Sequence, residues 1–559
     1  MSHESLKPLI IGGLVAAAVI YIYPLYLPTP LLEPDEGLHA TISQEMVERD
    51  EWIVPTFRGE PFLDKPILYF WAQMASLKTF GMTEFAVRLP GLTAGLFGAL
   101  TTGLLAGRLF GLRVGILACL ASMTMTIPLA LAQAAVHDVA LVPWTNLAML
   151  SLWETERAFT TRRRYLWLAG AACMFGLAML TKALIGVAVI GVGYGLFLIC
   201  SGTLSFGRCA RVGLAIIVGA VLASPWFIAM EFQIPGYAYY YFVERHVMGF
   251  ATSTQRHGHQ PWFFYLPFVT LGAIPWVWYI VPMLRDEWHN RSKRSQMLPQ
   301  MIFVVCWLVG GLVFLSVAKS KLVPYALPVF PSVAILCALA WHRRMTGRMS
   351  DVATRWFAGI IRAAGAAGVI FPFGILLACG LILGTAWEAK AWLLAVAVSG
   401  LSVTAWRTFE TQRFHSTVGL LCVWVAGIVC LVMTWPLQMF AENHSERSLA
   451  QWMNRQQQLP EHLILVGEKP ASVLFYLSKD LRRKLSPRRV ESVELNQLSS
   501  GTQLAPGTVL AVTHRKLAEA RTEHQSIPGT FTETVGQFQL FRTEDDFHSL
   551  ALIAGRPER

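Results

Sequence analysis

Between two long apolar segments the chain carries LEPDEGLHATISQEMVERDEWIVPTFRGEPFLDKP, Leu32–Pro66, and with it Asp35, Glu36, Asp64 and Lys65. The flanks of membrane segments favour Lys and Arg on one side and seldom keep acids without a reason, so this cluster suggests a site. Carboxylates placed there can orient a reactant or stabilise positive charge, and a lysine can meet developing negative charge. The competing reading is local: Asp35, after Pro34, caps a short helix, and Asp64 with Lys65 is a solvated pair.

The rest of the chain bears on that choice. Of 559 residues, 54% are hydrophobic and only 14% charged, well short of the charge of a soluble protein, so the fold class is a polytopic α-helical membrane protein. Windows of about twenty apolar residues give about thirteen spans, near 8–27, 86–107, 113–134, 138–153, 165–181, 184–201, 211–230, 262–284, 300–317, 324–341, 359–384, 390–406 and 416–437. The first reads as a retained span, without a cleavage pattern. Nine cysteines show neither a disulfide framework nor metal or redox spacing.

With the N-terminus in the cytoplasm, every inner loop is basic: Arg108/Arg113, Arg157–Arg164, Arg208/Arg211, Arg285–Arg294, Arg343–Arg355 and Arg407/Arg413. The net charge of +11 thus has a topological explanation, and no nucleic-acid partner is expected. The outer face then receives residues 28–85, Asp138, Lys182, the loop 231–261, Lys319, Lys321 and everything after about residue 440. Lysines on the outer face oppose the topological bias, which favours their retention for a ligand over snorkelling to the headgroups.

Two stretches of the first outer loop read as short helices along the membrane: Glu36 to about Val47, with Leu38, Ile42 and Met46 four apart, and a second begun by Pro66, with Ile67, Phe70, Trp71, Met74 and Leu77 on one face. The loop 231–261 is aromatic and rich in Arg and His (Arg245, His246, Arg256, His257, His259) and has the makings of a lid. His246 with Asp64, or the His257/His259 pair, is the candidate for a divalent ion, although none is required. Residues 440–559 read as a soluble α/β domain, with strands at Leu463–Val466, Ser472–Leu477 and Thr508–Val512 and a helix at Arg515–Arg521.

Pro34-Asp35-Glu36, Ile42–Met46, Trp52-Ile53-Val54-Pro55, Asp64-Lys65-Pro66-Ile67, Asp138, Thr181-Lys182, Val243-Glu244, Pro261–Tyr265 and Phe314–Tyr325 together resemble, in this order, the bacterial lipid A aminoarabinose transferases. These are GT-C glycosyltransferases related to the protein O-mannosyltransferases. The resemblance covers residues 1–439, making that part the catalytic domain. It implies transfer of 4-amino-4-deoxy-L-arabinose from undecaprenyl phosphate to a lipid A phosphate at the periplasmic face of the bacterial inner membrane, with inversion. Resistance to cationic peptides and polymyxin would follow. It also makes Asp35 the catalytic carboxylate and puts Lys65 in the same cavity. Leu38 stands where the family usually has Arg, Asp64 where it has Glu, and Gly249 where an Arg is common; Arg58, Arg245 or Arg256 would substitute.

On this reading Lys65 and Lys182, backed by Lys319 and Lys321, meet the leaving phosphate. The acceptor phosphate is already anionic, so no strong base is needed. Asp35 would orient the acceptor, pair with the sugar's ammonium or stabilise the ring carbon, with Asp138 and Glu36 beside it. Both lipids would enter from the bilayer along a groove walled by Tyr325, and a monomer would suffice. The alternatives are another polyprenyl-phosphate-sugar transferase, such as a protein O-mannosyltransferase-like enzyme, or a lipid transporter. A transporter calls for charges at the bilayer midplane and inverted halves, neither of which is evident in the sequence.

Overall fold

The computed structural model describes residues 5–248, 260–289, 298–456, 462–467, 471–484, 490–498, 504, 507–522 and 527–543. Each apolar segment is helical. In chain order they are α1 (Lys7–Ala17, continued irregularly to Tyr26), the loop helices α2 (Asp35–Arg49) and α3 (Leu68–Phe80), α4 (Glu84–Phe110), α5 (Leu112–Thr124), α6 (Thr126–Gln133), α7 (Leu141–Arg157), α8 (Thr161–Lys182), α9 (Leu184–Cys200), α10 (Phe206–Gln233), α11 (Tyr265–Gly272), α12 (Ile280–His289), α13 (Pro299–Val317), α14 (Phe330–Met345), α15 (Asp351–Leu383), α16 (Ala389–Glu410) and α17 (Phe414–Thr434). Among the described residues nine helices are long and apolar enough to cross a membrane unbroken. Two bent pairs, α5 with α6 at 59° and α11 with Val277–His289 at 98°, bring the number to eleven if each is one span. The molecule is a multi-pass membrane protein.

Lipid offers little hydrophobic drive for helices to associate, so close packing must hold them together. Glycines supply it: a Cβ on Gly12 of α1 would lie 2.6 Å from Gly419 Cα of α17, and one on Gly219 of α10 would lie 2.7 Å from the Ala172 carbonyl of α8. Polar first turns are capped where the chain re-enters a helix, as where Thr83 accepts from Ala86 N at 3.2 Å.

Beyond α17, α18 (Pro436–Glu442) and α19 (Arg447–Arg455) lead to a five-stranded sheet, with α20 (Ser472–Tyr476), α21 (Lys479–Lys484) and α22 (His514–Thr522). Behind the hairpin strands β1 (Thr56–Phe57) and β2 (Glu60–Pro61) of the first loop, the sheet strands are β3 (His462–Val466), β4 (Val490–Val493), β5 (Thr508–Thr513), β6 (Thr530–Val535) and β7 (Phe538–Arg542), ordered β4-β3-β5-β7-β6. β3 runs parallel to β4 and β5, and β7 antiparallel to β5 and β6. Alternation divides β3 between two cores: Leu463 and Leu465 on one face, Ile464 and Val466 on the other.

Two expectations are corrected. Ser472–Leu477 is not a strand: its apolar run is too short to distinguish the two periods, and as a helix it fills the space between the sheet and α2. Nor does α2 lie open along a membrane surface. Glu36, Gly37, His39–Gln44 and Met46 are buried, because α3 covers one flank and the soluble domain another. Ser472 N donates to Glu33 Oε1 at 2.5 Å, Thr41 Oγ1 to Ala471 O at 2.6 Å, and Gln44 Nε2 to Phe475 O at 3.3 Å. Gly37 is required at this contact, since a Cβ there would stand 2.6 Å from Ser472 N.

One ion pair fixes the start of α2. Arg88 of α4 donates Nε to Glu36 Oε1 at 2.9 Å and Nη2 to Oε2 at 2.7 Å, and gives further bonds to the Thr29 and Pro30 carbonyls at 2.7 and 2.8 Å. Glu36 also accepts from Leu32 N at 2.9 Å and Ala135 N at 3.1 Å. Both side chains are buried. Glu36→Gln, leaving Arg88 charged among neutral partners, is expected to cost roughly 3–5 kcal/mol, read as a fall in the thermal transition of the detergent-purified protein. Asp50→Asn, which removes the charge of the exposed pair with Lys78, should shift that transition far less. Equal shifts would show that the buried clamp does not hold these segments.

Candidate active site

Lys65 is the electrostatic centre of the site. It enters on the Asp64-Lys65-Pro66 turn just ahead of α3, part-buried, and its ammonium makes no hydrogen bond or ion pair among the described residues. Burial pulls its pKa below the ordinary lysine value; the Arg245 charge acts in the same direction, and Asp64 and Asp35 oppose it. A cavity opens beside it, walled by Asp64, Lys182, Tyr241, Arg245, His246 and Tyr325 among others. Asp35 is outside that wall, exposed at the first turn of α2. Its charge nevertheless acts on Lys65, Lys182 and His39.

Lys182, the last residue of α8, is buried and held on two sides. It forms an ion pair with Asp138 and stands 4.1 Å over the ring of Tyr325. The chain places Asp138 in the turn His137–Ala140 ahead of α7, and Tyr325 in the turn Val323–Val329 ahead of α14, so three crossings meet here. Asp64 is likewise engaged: Tyr240 Oη donates to Oδ1 at 2.7 Å, and Arg245 Nη2 lies 3.2 Å from Oδ2. Tyr240 and Arg245 belong to an irregular helix, Tyr239–Met248, that brings the described part of the second outer loop over the cavity.

Several expectations change. Neither Asp35 nor Glu36 lines the cavity, and the Glu36 oxygens are consumed by Arg88 and two backbone amides. Arg58 sits at the tip of the β1–β2 hairpin, its amide bonded to Glu45 at 2.7 Å, and the charges that act on it are Glu491 of the soluble domain and Glu45. In the turn 319–321 it is Ser320 that lines the cavity: Lys319 is exposed, and Lys321 is buried and donates to Gln260 O at 3.2 Å. Arg256 and the His257/His259 pair lie outside the described residues.

The His246–Asp64 pairing for a metal also lacks support in the donor set. Among the described residues no three His, Cys, Asp or Glu side chains gather as a metal would need. Asp64 already serves Tyr240 and Arg245, and His246 Nδ1 is bonded to Tyr241 O at 2.6 Å.

Sequence reading missed Arg88, Tyr240 and a histidine cluster below the site. Arg88 carried a usable signal, a cation at the outer end of a span, the same anomaly that marks Lys182. His39 falls one helical turn after Asp35.

Residues 64–228 match the family described as dolichyl-phosphate-mannose-protein mannosyltransferase. The undecaprenyl phosphate-alpha-4-amino-4-deoxy-L-arabinose arabinosyl transferase of Aeromonas salmonicida is 35% identical over 324 residues, 57% of each chain. Thus the chain spans little more than half the length of that relative. The transferase of the same description from Yersinia enterocolitica is 30% identical over 418 residues, 71% of each chain. Among solved structures, ArnT from Cupriavidus metallidurans bound to undecaprenyl phosphate superposes with a TM-score of 0.72 at 19% identity, over 95% of this chain and 97% of that one, a likeness of fold.

The buried histidine cluster, which does not line the cavity, makes stability depend on pH. His39 Nδ1 donates to Ala135 O at 2.8 Å, and its ring meets His137 edge-on at 4.4 Å; Tyr69 and Phe70 enclose His137 at 4.5 and 4.6 Å. Both ring nitrogens of His137 are buried without a partner among the described residues. Burial lowers His39 from 6.5 to about 4, against the Ala135 bond and Asp35, and lowers His137 well below its ordinary value, with His39, Lys65 and Lys182 acting in the same direction. Both are therefore neutral when folded. As pH falls below 6.5 the unfolded chain takes up protons that the folded chain refuses, so stability held above that pH is lost on the way down toward about 4. The thermal transition of the purified protein should fall between about pH 7 and pH 5, and His137→Phe should make that fall shallower, whereas His289→Ala, at an exposed site, should not. An unchanged slope in His137→Phe would assign the acid sensitivity elsewhere.

Proposed function

The chain belongs to the family of undecaprenyl phosphate-alpha-4-amino-4-deoxy-L-arabinose arabinosyl transferases, and from that membership we propose that it transfers this aminopentose from undecaprenyl phosphate to a phosphate of lipid A. The observation that carries the reading is Lys65, a part-buried ammonium without a direct partner among the described residues, beside a cavity and within the field of Asp35. Breaking the bond between sugar and lipid phosphate leaves negative charge on the departing phosphate. A cation already desolvated and already positioned stabilises that charge without reorganising water. Lys65 fits this role, with Arg245 adding to the positive field.

Lys182 serves differently. Its charge is neutralised locally by Asp138, and its place over Tyr325 sets the shape of the cavity floor. We assign Asp138 to holding Lys182 and Tyr325 to the wall. Asp35, exposed and not hydrogen-bonded among the described residues, is available to the incoming reactants. An acceptor phosphate is anionic at neutral pH, so a carboxylate is needed less as a base than to orient the sugar's ammonium or to stabilise the electron-poor ring carbon as the donor bond lengthens. The reaction balances as a single displacement: an acceptor phosphate oxygen bonds to the ring carbon as undecaprenyl phosphate leaves, with inversion. The basic inner loops support an N-terminus in the cytoplasm, and with it a site and soluble domain on the periplasmic side of the inner membrane.

The test is mass spectrometry of lipid A from cells that make the lipid-linked aminoarabinose but lack their own transferase. Wild-type protein should add the mass of the sugar. Asp35→Asn and Lys65→Met, at matched expression, should lower the modified fraction by about 100-fold or more, and Lys319→Met should leave it nearly intact. Modification by Lys65→Met at the wild-type level would remove the role assigned to that ammonium. No modification by the wild type, in a host shown to make the donor, would overturn the substrate assignment.

A further inference from the structure

At the helix ends opposite the site, a second cavity is lined by cations that the proposed transfer does not use. The chain runs from Tyr325 along α14 to His342, and from Arg88 along α4 to the first turn of α5, which holds Arg113. Each path is a full crossing, so this cavity is on the order of 30 Å from Lys182. It has a volume of ≈ 910 Å³ and is bounded by Arg113, His342, Thr346, Arg413 and Glu410, among others. A neighbouring concavity shares His342 and adds Arg348.

The balance of charge in this place is one-sided. His342 faces Arg113, Arg343 and Arg348. Arg343 is paired with Glu287, and Glu410 is taken by Arg362 at 2.7 Å and by the Trp406 indole at 3.2 Å. Arg344 lies 4.6 Å over the ring of Phe414. Arg113, Arg348 and Arg413 make no ion pair or side-chain hydrogen bond among the described residues. Basic inner loops satisfy the topological rule merely by being solvated. Here three exposed guanidinium groups from three different connections also border adjoining hollows.

An apolar groove adjoins them. It runs between α15, α16 and α17, walled by Trp278, Trp356, Phe371, Trp406 and Trp424. Trp406 belongs to this groove and bonds Glu410, which lines the basic cavity, so the two spaces meet across one helical turn. A charged hollow at the end of the spans joined to an apolar groove along them is complementary to one kind of molecule, with an anionic head and a hydrocarbon tail.

We propose that the hollows around Arg113, His342, Arg348 and Arg413 bind the phosphate headgroup of an anionic glycerophospholipid whose acyl chain lies in the tryptophan-lined groove. The site is separate from the donor and acceptor sites and opens to the other membrane face. Guanidinium groups suit it, because each presents a fork of donors to phosphate oxygens.

The experiment uses the full chain, delipidated in detergent, with native mass spectrometry of added phosphatidylglycerol or phosphatidylcholine. Wild-type protein should retain phosphatidylglycerol at least about tenfold better than phosphatidylcholine, as expected for several phosphate-directed cations. Arg113→Ala/Arg348→Ala/Arg413→Ala should abolish that preference, and Arg162→Ala/Arg163→Ala, two exposed arginines outside the hollows, should keep it. Should the triple variant not fold, Arg348→Glu and Arg413→Glu singly should each weaken retention several-fold. Equal retention of the two lipids by the wild type, or an unchanged preference in the variants, would overturn the proposal. Inorganic phosphate at millimolar concentration should not displace the lipid; displacement would make the site one for free phosphate and overturn the lipid assignment.

Discussion

The bidentate contact between Glu36 and Arg88 is the constraint on which the site depends. Burying such a pair costs desolvation that its mutual attraction alone does not reliably offset. Here the remaining hydrogen-bonding capacity is filled as well, by two carbonyls on the guanidinium side and two amides on the carboxylate side. Four stretches of chain are thereby tied together: residues 29–32, the start of α2, the outer end of α4 and the turn at Ala135. Successive residues on a helix point about 100° apart, so turning Glu36 inward turns Asp35 outward. The catalytic candidate owes its direction to the neighbour that does no chemistry.

The cations of the site divide by how they are held. Lys182 is locked by Asp138 and Tyr325, and Arg245 is attached to Asp64, but Lys65 is left with charges nearby and no direct partner. A desolvated ammonium without a partner is unfavourable in the empty site. That cost is reduced when an anion arrives, and reduced most when the anion's charge is greatest, which is the condition for stabilising a transition state over a ground state. The locked pair and the unlocked lysine are complementary: one gives the cavity a fixed shape, the other gives it an unmet demand.

Much of this was legible in the sequence because topology converts sign into position. Lys65, Lys182, Asp138 and Asp64 were each anomalous for the outer face of a membrane protein, and the fold does bring them together. The lysines of the 319–321 turn carried the same anomaly, yet there it is Ser320 that reaches the cavity, since a turn sends successive side chains to different sides and charge alone does not say which. Glu36 was indistinguishable from Asp35 by composition. Only the partner on α4, fifty-two residues away, separates their roles. Ser472–Leu477 misled for a related reason: its apolar run fits either period, and the deciding contact is with α2, more than four hundred residues earlier. Helices announced by twenty apolar residues were readable; roles set by distant partners were not.

The close seating of α20 on α2 also bears on how the two parts of the chain change over evolutionary time. At position 37 even a methyl group would strike Ser472 N and Glu33 Oε1, each at 2.6 Å, while Thr41 and Gln44 read the backbone of 471–475 rather than its side chains. The side chains of that segment are held too: Val473, Leu474 and Phe475 are buried, and Tyr476 Oη accepts from Leu31 N at 2.8 Å and donates to Glu84 at 3.0 Å. A deletion or insertion there would move the backbone against α2 and, through Glu33 and Gly37, against the turn that presents Asp35. Among related sequences, both the length and the buried side chains of this segment should be constrained, and a gain of bulk at position 37 should come only with a compensating change in the loop that faces it.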